Sequence, residues 1–347
     1  MKSPFIWDKY SDQPYPLKDK AYKKKMRKKH LFDYLPLLFT NIIMFPLSIV
    51  LMKFFNGKKI EKNNFYAMGV ELDKGEIQVE LIEELGVEHI LIRMPLWEID
   101  RVDEYVAFIQ KFKNQKILLN ILQDREHIED YALLQKSIKI IFEKFTPFVN
   151  EYQVGNAINR TKWGFFSMKE YLNWYRVIQK IRDNEYPNLK LVGSSVIDFE
   201  YHYTIRTLFN FTRVKYDTFS SLLYVDRRGK PSNRQMGIFD TKNKIDMLYS
   251  LVKLSPKSSN DIYITEVNWP LSHTAPYAPT SELECVGEED YANFMVEYLE
   301  TAKKSGKIQR VYWHQLIAAG YGLVDNRDGK LRKTKAFNAY KNLLNSH

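Results

Sequence analysis

Residues 152–166 read YQVGNAINRTKWGFF. A short apolar run closes on Gly155-Asn156, and a cluster of polar and aromatic groups follows: Asn159, Arg160, Lys162 and Trp163. Ala157 stands in the middle of that cluster. The pattern is that of a buried strand which delivers its chemistry at its C-terminal end, with an inert methyl where a reactive group would be expected.

Seven further segments share the pattern. Together with Glu151–Asn156, the strand candidates are Phe65–Leu72, His89–Leu96, Lys116–Gln123, Lys190–Val196, Thr218–Tyr224, Asp261–Val267 and Arg310–Leu316. They are rich in Ile, Val, Leu and Tyr without polar alternation, as strands covered on both faces are. Amphipathic stretches lie between them: 76–85, 102–112, 128–145, 169–182, 242–254, 290–304 and 335–344, with a shorter one around 203–209. Ser167 and Glu170 read as a capping box opening the 169–182 helix. Eight strand–helix units in about 280 residues predict a (β/α)8 TIM barrel over 64–347. A doubly wound sheet would place a Gly-rich phosphate turn after its first strand. Here that turn is Glu71-Leu72-Asp73-Lys74-Gly75, without G-x-G-x-x-G.

Barrel chemistry sits at the C-terminal strand ends. Those ends carry Glu71 and Asp73, Arg93, Asn120 with Asp124, Asn156 with Arg160, Ser194 with Asp198, Tyr224 with Asp226, Glu266 with Asn268, and Trp313 with His314. Aromatic faces, amides and carboxylates in this mixture suit a sugar. There is no Cys–His dyad and no His or Cys pair at zinc spacing, so neither a metal nor a cofactor is expected. The single cysteine, Cys285, excludes an internal disulfide framework.

Three motifs carry a resemblance. YITEVNWP (263–270) is similar to the seventh strand of clan A glycoside hydrolases, YQVGNAINRTKWG (152–164) to the fourth, and VYWHQL (311–316) to the eighth. The resemblance implies Glu266 as nucleophile. It implies Arg93 near the nucleophile and Trp313 as a sugar platform; Asn156, Arg160 and Tyr224 at the other strand ends complete the candidate sugar-binding surround, with Arg160 and Lys162 as groups for an acidic sugar or phosphate. In that clan the fourth strand ends in Gly-Asn-Glu, and the Glu is the general acid/base. Here Ala157 takes its place, and alanine transfers no proton. A retaining glycosidase needs two carboxyl groups about 5 Å apart. Asp124, Asp198, Asp226 and Glu71 are the alternative acids. Otherwise the substrate needs little acid help, as an easily cleaved ketosidic bond would, or a partner supplies the chemistry. The bland reading of each residue stands beside these: Glu266 paired with Arg93, Asn156 fixing its loop, Trp313 and His314 packed in the barrel wall, Arg160 and Lys162 solvated.

The N-terminal part differs. Residues 1–63 carry 14 Lys/Arg against 5 Asp/Glu, and residues 64–347 carry 38 against 37. A near-neutral barrel argues against nucleic acid. The charge flanks LPLLFTNIIMFPLSIVLMKFF (35–55), in which no charge falls between Leu35 and Met52. Eighteen such residues are about the minimum for a span. The expectation is therefore three parts: a basic cytoplasmic-side segment 1–34, a membrane-anchoring helix 35–55 and the barrel 64–347. Pro36, Pro46 and the basic trailing side leave an interface-lying helix as the runner-up. The charge bias predicts a barrel on the periplasmic side of a bacterial inner membrane.

The expected function is a membrane-attached glycoside hydrolase-like protein acting on envelope glycan, lipopolysaccharide first. The overall design is similar to the barrel subunit of two-protein hydrolases that remove a Kdo sugar, which implies a second subunit as a partner. The other-class reading is a degenerate barrel that binds glycan or scaffolds an enzyme.

Overall fold

The computed structural model of the chain describes residues 4–345. Eight parallel strands close into a barrel in which each sequential pair is adjacent and the last meets the first. They are β1 Tyr66–Val70, β2 His89–Pro95, β3 Lys116–Leu122, β4 Glu151–Val154, β5 Lys190–Ile197, β6 Thr218–Leu222, β7 Ile262–Val267 and β8 Arg310–Trp313. Each falls within the predicted segment or within one residue of it. The apolar runs are continuous because helices cover the outer face and the opposite strands cover the inner one. Ala67, Leu91, Leu118, Val192, Tyr263 and Tyr312 form a small buried cluster of their own, apart from the main core that the helices cover.

The helices follow the sequence with local revisions. The stretch 128–145 is two helices, Arg125–Glu129 and Tyr131–Phe145, because Asp124 and Asp130 each cap a helix start. Half of the capping box forms at Met168–Glu185: Ser167 Oγ accepts from the Glu170 N–H at 3.2 Å. The Glu170 carboxylate accepts instead from the Phe166 N–H at 2.8 Å and pairs with Arg125.

One irregularity matters for the site. Between β7 and β8, Val311 pairs with Ile264 but Trp313 pairs with Val267, so β7 carries one extra residue. Side chains alternate along a strand, and a bulge re-aims those beyond it. Counting outward-facing positions from Ile264, strict alternation would send Glu266 outward, and the extra residue brings it to the barrel mouth.

Residues 4–62 do not stand apart from the barrel. Two short strands, Trp7–Asp8 and Gln13–Pro14, form a hairpin at the mouth. The basic helix Lys20–Lys29 and the apolar helix Tyr34–Leu51 follow. The apolar helix packs on the flank, against Tyr201–Leu208 and Thr241–Leu254. The chain then passes under the barrel, where Gly57 lies so close to Gly306 that a Cβ would overlap the backbone.

Candidate active site

Glu266 sits at the centre of the C-terminal mouth. Tyr224 Oη donates to its Oε1 at 2.6 Å, and Asn156 Nδ2 donates to its Oε2 at 3.4 Å. Asn156 is itself oriented: Asn120 Nδ2 donates to its Oδ1 at 3.2 Å, and the Gln123 amide brackets its backbone at 2.7 and 2.9 Å. Arg93, Asn120 and Gln153 are in register across β2, β3 and β4, a polar row beneath this carboxylate. Burial works against charge on Glu266, but His314 where it is protonated, and Tyr224, Arg93 and Asn156 throughout, hold its carboxyl below the usual range. Burial pushes the His314 imidazole down to about 4, leaving it neutral at pH 7.

The pocket above Glu266 has a volume of about 240 Å³. Ala157 contributes its methyl to the wall and holds a left-handed φ of 44°, a strained setting for a residue with a Cβ. Arg160 lies at the rim, but its two terminal nitrogens pair with Asp198 and Glu200. Arg228 also reaches Asp198, at 3.5 Å, and lies 3.4 Å over the Tyr224 ring. Arg93 pairs with Glu71 and donates to the Asp12 carbonyl at 3.1 Å.

Lys162 is different. It donates to Gln13 Oε1 at 2.6 Å, and no carboxylate among the described residues lies in ion-pair range. Burial lowers its ammonium to about 8, against the pull of Glu266.

Several expectations shift. Trp313 is not at the pocket: it is fully buried in the barrel wall, stacked on Trp269, with its Nε1 donating to Tyr291 Oη at 2.9 Å. Alternation on β8 puts its neighbour His314 at the pocket instead. Asp124 is also outside; it caps the Arg125–Glu129 helix and binds His127 at 2.9 Å. Asp226 faces an adjoining groove beside Lys244. Glu71 is taken by Arg93 and by Gln315, which donates at 2.7 Å. Asp198 lines the pocket, shared between two arginines.

The sequence reading missed Asp12, Gln13 and Glu284. Asp12 and Gln13 come from the N-terminal hairpin and wall the pocket. Asp12 pairs with Lys74 at 3.1 Å and accepts from Tyr321 Oη at 3.0 Å. Nothing local in the sequence marks them. Glu284 lies on the long loop after β7, lines the pocket and makes no side-chain ion pair among the described residues. The length of that loop, which follows the strand carrying Glu266, is the one sequence feature that points to it.

The chain is thus a closed barrel of eight parallel strands with a strand-end carboxylate held by Tyr224 and Asn156. It shares its fold with solved glycosidases. A family 1 β-glucosidase from Thermotoga maritima aligns with a TM-score of 0.61 at 11% identity, over 83% of this chain and 99% of that one. The same enzyme in complex with castanospermine aligns at 0.62, also at 11% identity, over 83% and 98%. A GH2 β-galacturonidase from Eisenbergiella tayi bound to galacturonate aligns at 0.56 and 14% identity, over 84% of this chain and 52% of that one. No protein-family model and no curated protein sequence matches the chain.

Proposed function

We propose that the protein is a membrane-attached glycoside hydrolase-like barrel that acts on an envelope glycan, with an acidic sugar of lipopolysaccharide such as Kdo as its substrate. One observation carries this: Glu266, the strand-end carboxylate, has one oxygen held by Tyr224 and the other by Asn156, so it is fixed and kept ionised. An ionised, oriented carboxylate is what a nucleophile or oxocarbenium stabiliser requires. Lys162, the pocket cation without a carboxylate partner, suits the acidic group of the sugar. The proton that Ala157 cannot give would come from Glu284, a second pocket carboxyl that makes no ion pair among the described residues, or from a second subunit.

Sugar release from purified lipopolysaccharide tests this, with wild type and Glu266→Gln, alone and with co-purifying proteins. Release by wild type that is abolished in Glu266→Gln supports hydrolysis by this site. Release that needs a co-purifying protein makes the chain one subunit of a complex.

The second reading is a barrel that binds glycan and no longer cleaves it. Ala157 favours it, because the position facing the pocket carries only a methyl. Under that reading Glu266→Gln leaves release by the mixture unchanged and alters only glycan binding.

A further inference from the structure

The helix Tyr34–Leu51 is apolar on both faces: Leu37 is buried, Met44, Phe45 and Ile49 pack against the barrel, and a second apolar stripe faces outward. An amphipathic helix turns its apolar stripe to the core and its polar face to water. Here Thr40 and Ser48 are buried against the barrel, and the Asn41 amide donates to the His202 carbonyl at 3.0 Å. Ser250 Oγ donates to the Ser48 carbonyl at 3.2 Å. The opposite face is a stripe of Phe32, Leu35, Phe39, Ile42, Val50 and Phe54, and Phe32, Ile42 and Phe54 are 77%, 74% and 73% exposed.

Both ends of the helix are tied to one body. Before it, Ser167 Oγ donates to Asp33 Oδ2 at 2.7 Å, and the hairpin beyond reaches Arg93, Lys74 and Lys162. After it, Lys53 pairs with Asp246 at 2.7 Å, and the Lys58 N–H donates to the Gly306 carbonyl at 2.8 Å. A helix that crosses a bilayer places its two flanks in opposite compartments, where they cannot both touch the same barrel.

We propose that this stripe is a one-sided docking face for a bilayer with anionic headgroups: the helix lies along the barrel flank and in the lipid interface, and it does not span. Charge selects the occupant. Between Lys20 and Phe32 there is no acidic residue, and Lys24, Lys25, Arg27, Lys28 and Lys29 run straight into the stripe. An apolar stripe beside a polybasic helix is the make-up of an interfacial anchor on anionic lipid. A second copy of the chain would cover the stripe while carrying the same uncompensated cations beside it.

The proposal rests on the membrane attachment argued above, and the test separates the two. Full-length protein is freed of detergent and mixed with vesicles of phosphatidylglycerol or of phosphatidylcholine alone. It is expected to float with the former, and the double variant Phe39→Glu, Ile42→Glu is expected to lose about tenfold or more of the bound fraction, with its circular dichroism melt unchanged. Equal flotation with both lipids overturns the anionic headgroup. Flotation with neither overturns membrane attachment itself. A dimer that the double variant dissociates makes the occupant a second copy. In a Cys285→Ser background, Lys18→Cys and Leu283→Cys are then labelled with an impermeant maleimide in sealed cell-derived membranes. Labelling of both from one side is the expected result. Labelling from opposite sides leaves attachment standing and overturns the one-sided geometry.

Discussion

Tyr224 Oη and Glu266 Oε1 lie 2.6 Å apart, a phenol donating to a half-buried carboxylate. Burial and the neighbouring negative charge hold the Tyr224 pKa well above its ordinary value, so it remains a donor across the working pH range. The bond therefore fixes one lone pair of Glu266 and favours its ionised form. Tyr224→Phe removes the donor without changing the ring. Hydrogen bonds to charged groups contribute about 1.5–3 kcal/mol, which corresponds to a loss of roughly 10- to 100-fold in turnover. Without the donor the Glu266 pKa rises, so the acid limb of the pH–rate profile moves to higher pH. A profile that keeps its acid limb in place would mean that Tyr224 does not act through Glu266.

Lys162 gives the pocket a titration near neutrality, since its ammonium is lowered to about 8. Affinity for an anionic sugar such as galacturonate is expected to be greatest below that pH and to fall as the pH rises through it. A neutral sugar is expected to show no such dependence, and calorimetric titrations from pH 6.5 to 9 separate the two. Stability moves the other way. The folded pKa lies below the ordinary 10.5, so between about pH 8 and 10.5 the unfolded chain binds more protons and stability rises with pH. Lys162→Met is expected to abolish both trends.

Ala157→Glu places a carboxyl on the wall of the pocket that Glu266 floors. General acid catalysis contributes about 10²–10⁴-fold where the leaving group needs a proton. The variant is expected to gain on alkyl glycosides and little on nitrophenyl glycosides, whose leaving group departs unassisted. Glu284→Gln in the wild-type background is expected to show the inverse selectivity. If Glu284→Gln slows both substrate types equally, Glu284 is not the proton donor.

Trp313 stacks on Trp269 and donates to Tyr291 Oη, away from the pocket. Trp313→Phe is therefore expected to cost about 1–3 kcal/mol of stability, through a lost buried hydrogen bond and a small void. The Michaelis constant is expected to stay within twofold of wild type, roughly the scatter of such measurements, because no sugar contact is removed. A raised Michaelis constant with an unchanged melting temperature would restore Trp313 to the sugar site.

Much of the barrel was legible because strands buried on both faces leave short continuous apolar runs, and eight such runs alternating with amphipathic stretches admit few folds. Glu266 and Asn156 were legible for a related reason, since each closes its run at the end where barrels do chemistry. The place of Trp313 was not, because a motif fixes sequence neighbours while strand alternation decides which neighbour faces the mouth. Nor was the pairing of Arg160 with Asp198 and Glu200, whose partners lie about forty residues away on another strand-end loop.

The sequence by itself determined the number of strand–helix units, the residues that end them and the presence of one uncharged apolar stretch beside a basic one. Those are local properties, set by side-chain periodicity and composition. Only the tertiary structure decided that the N-terminal hairpin walls the pocket, with Asp12 meeting Arg93 across 81 positions and Gln13 meeting Lys162 across 149. It also decided that both ends of the apolar helix rest on the barrel. Contacts that close such long loops leave no periodic trace along the chain, because they are fixed by where folded surfaces meet and not by what lies next in sequence.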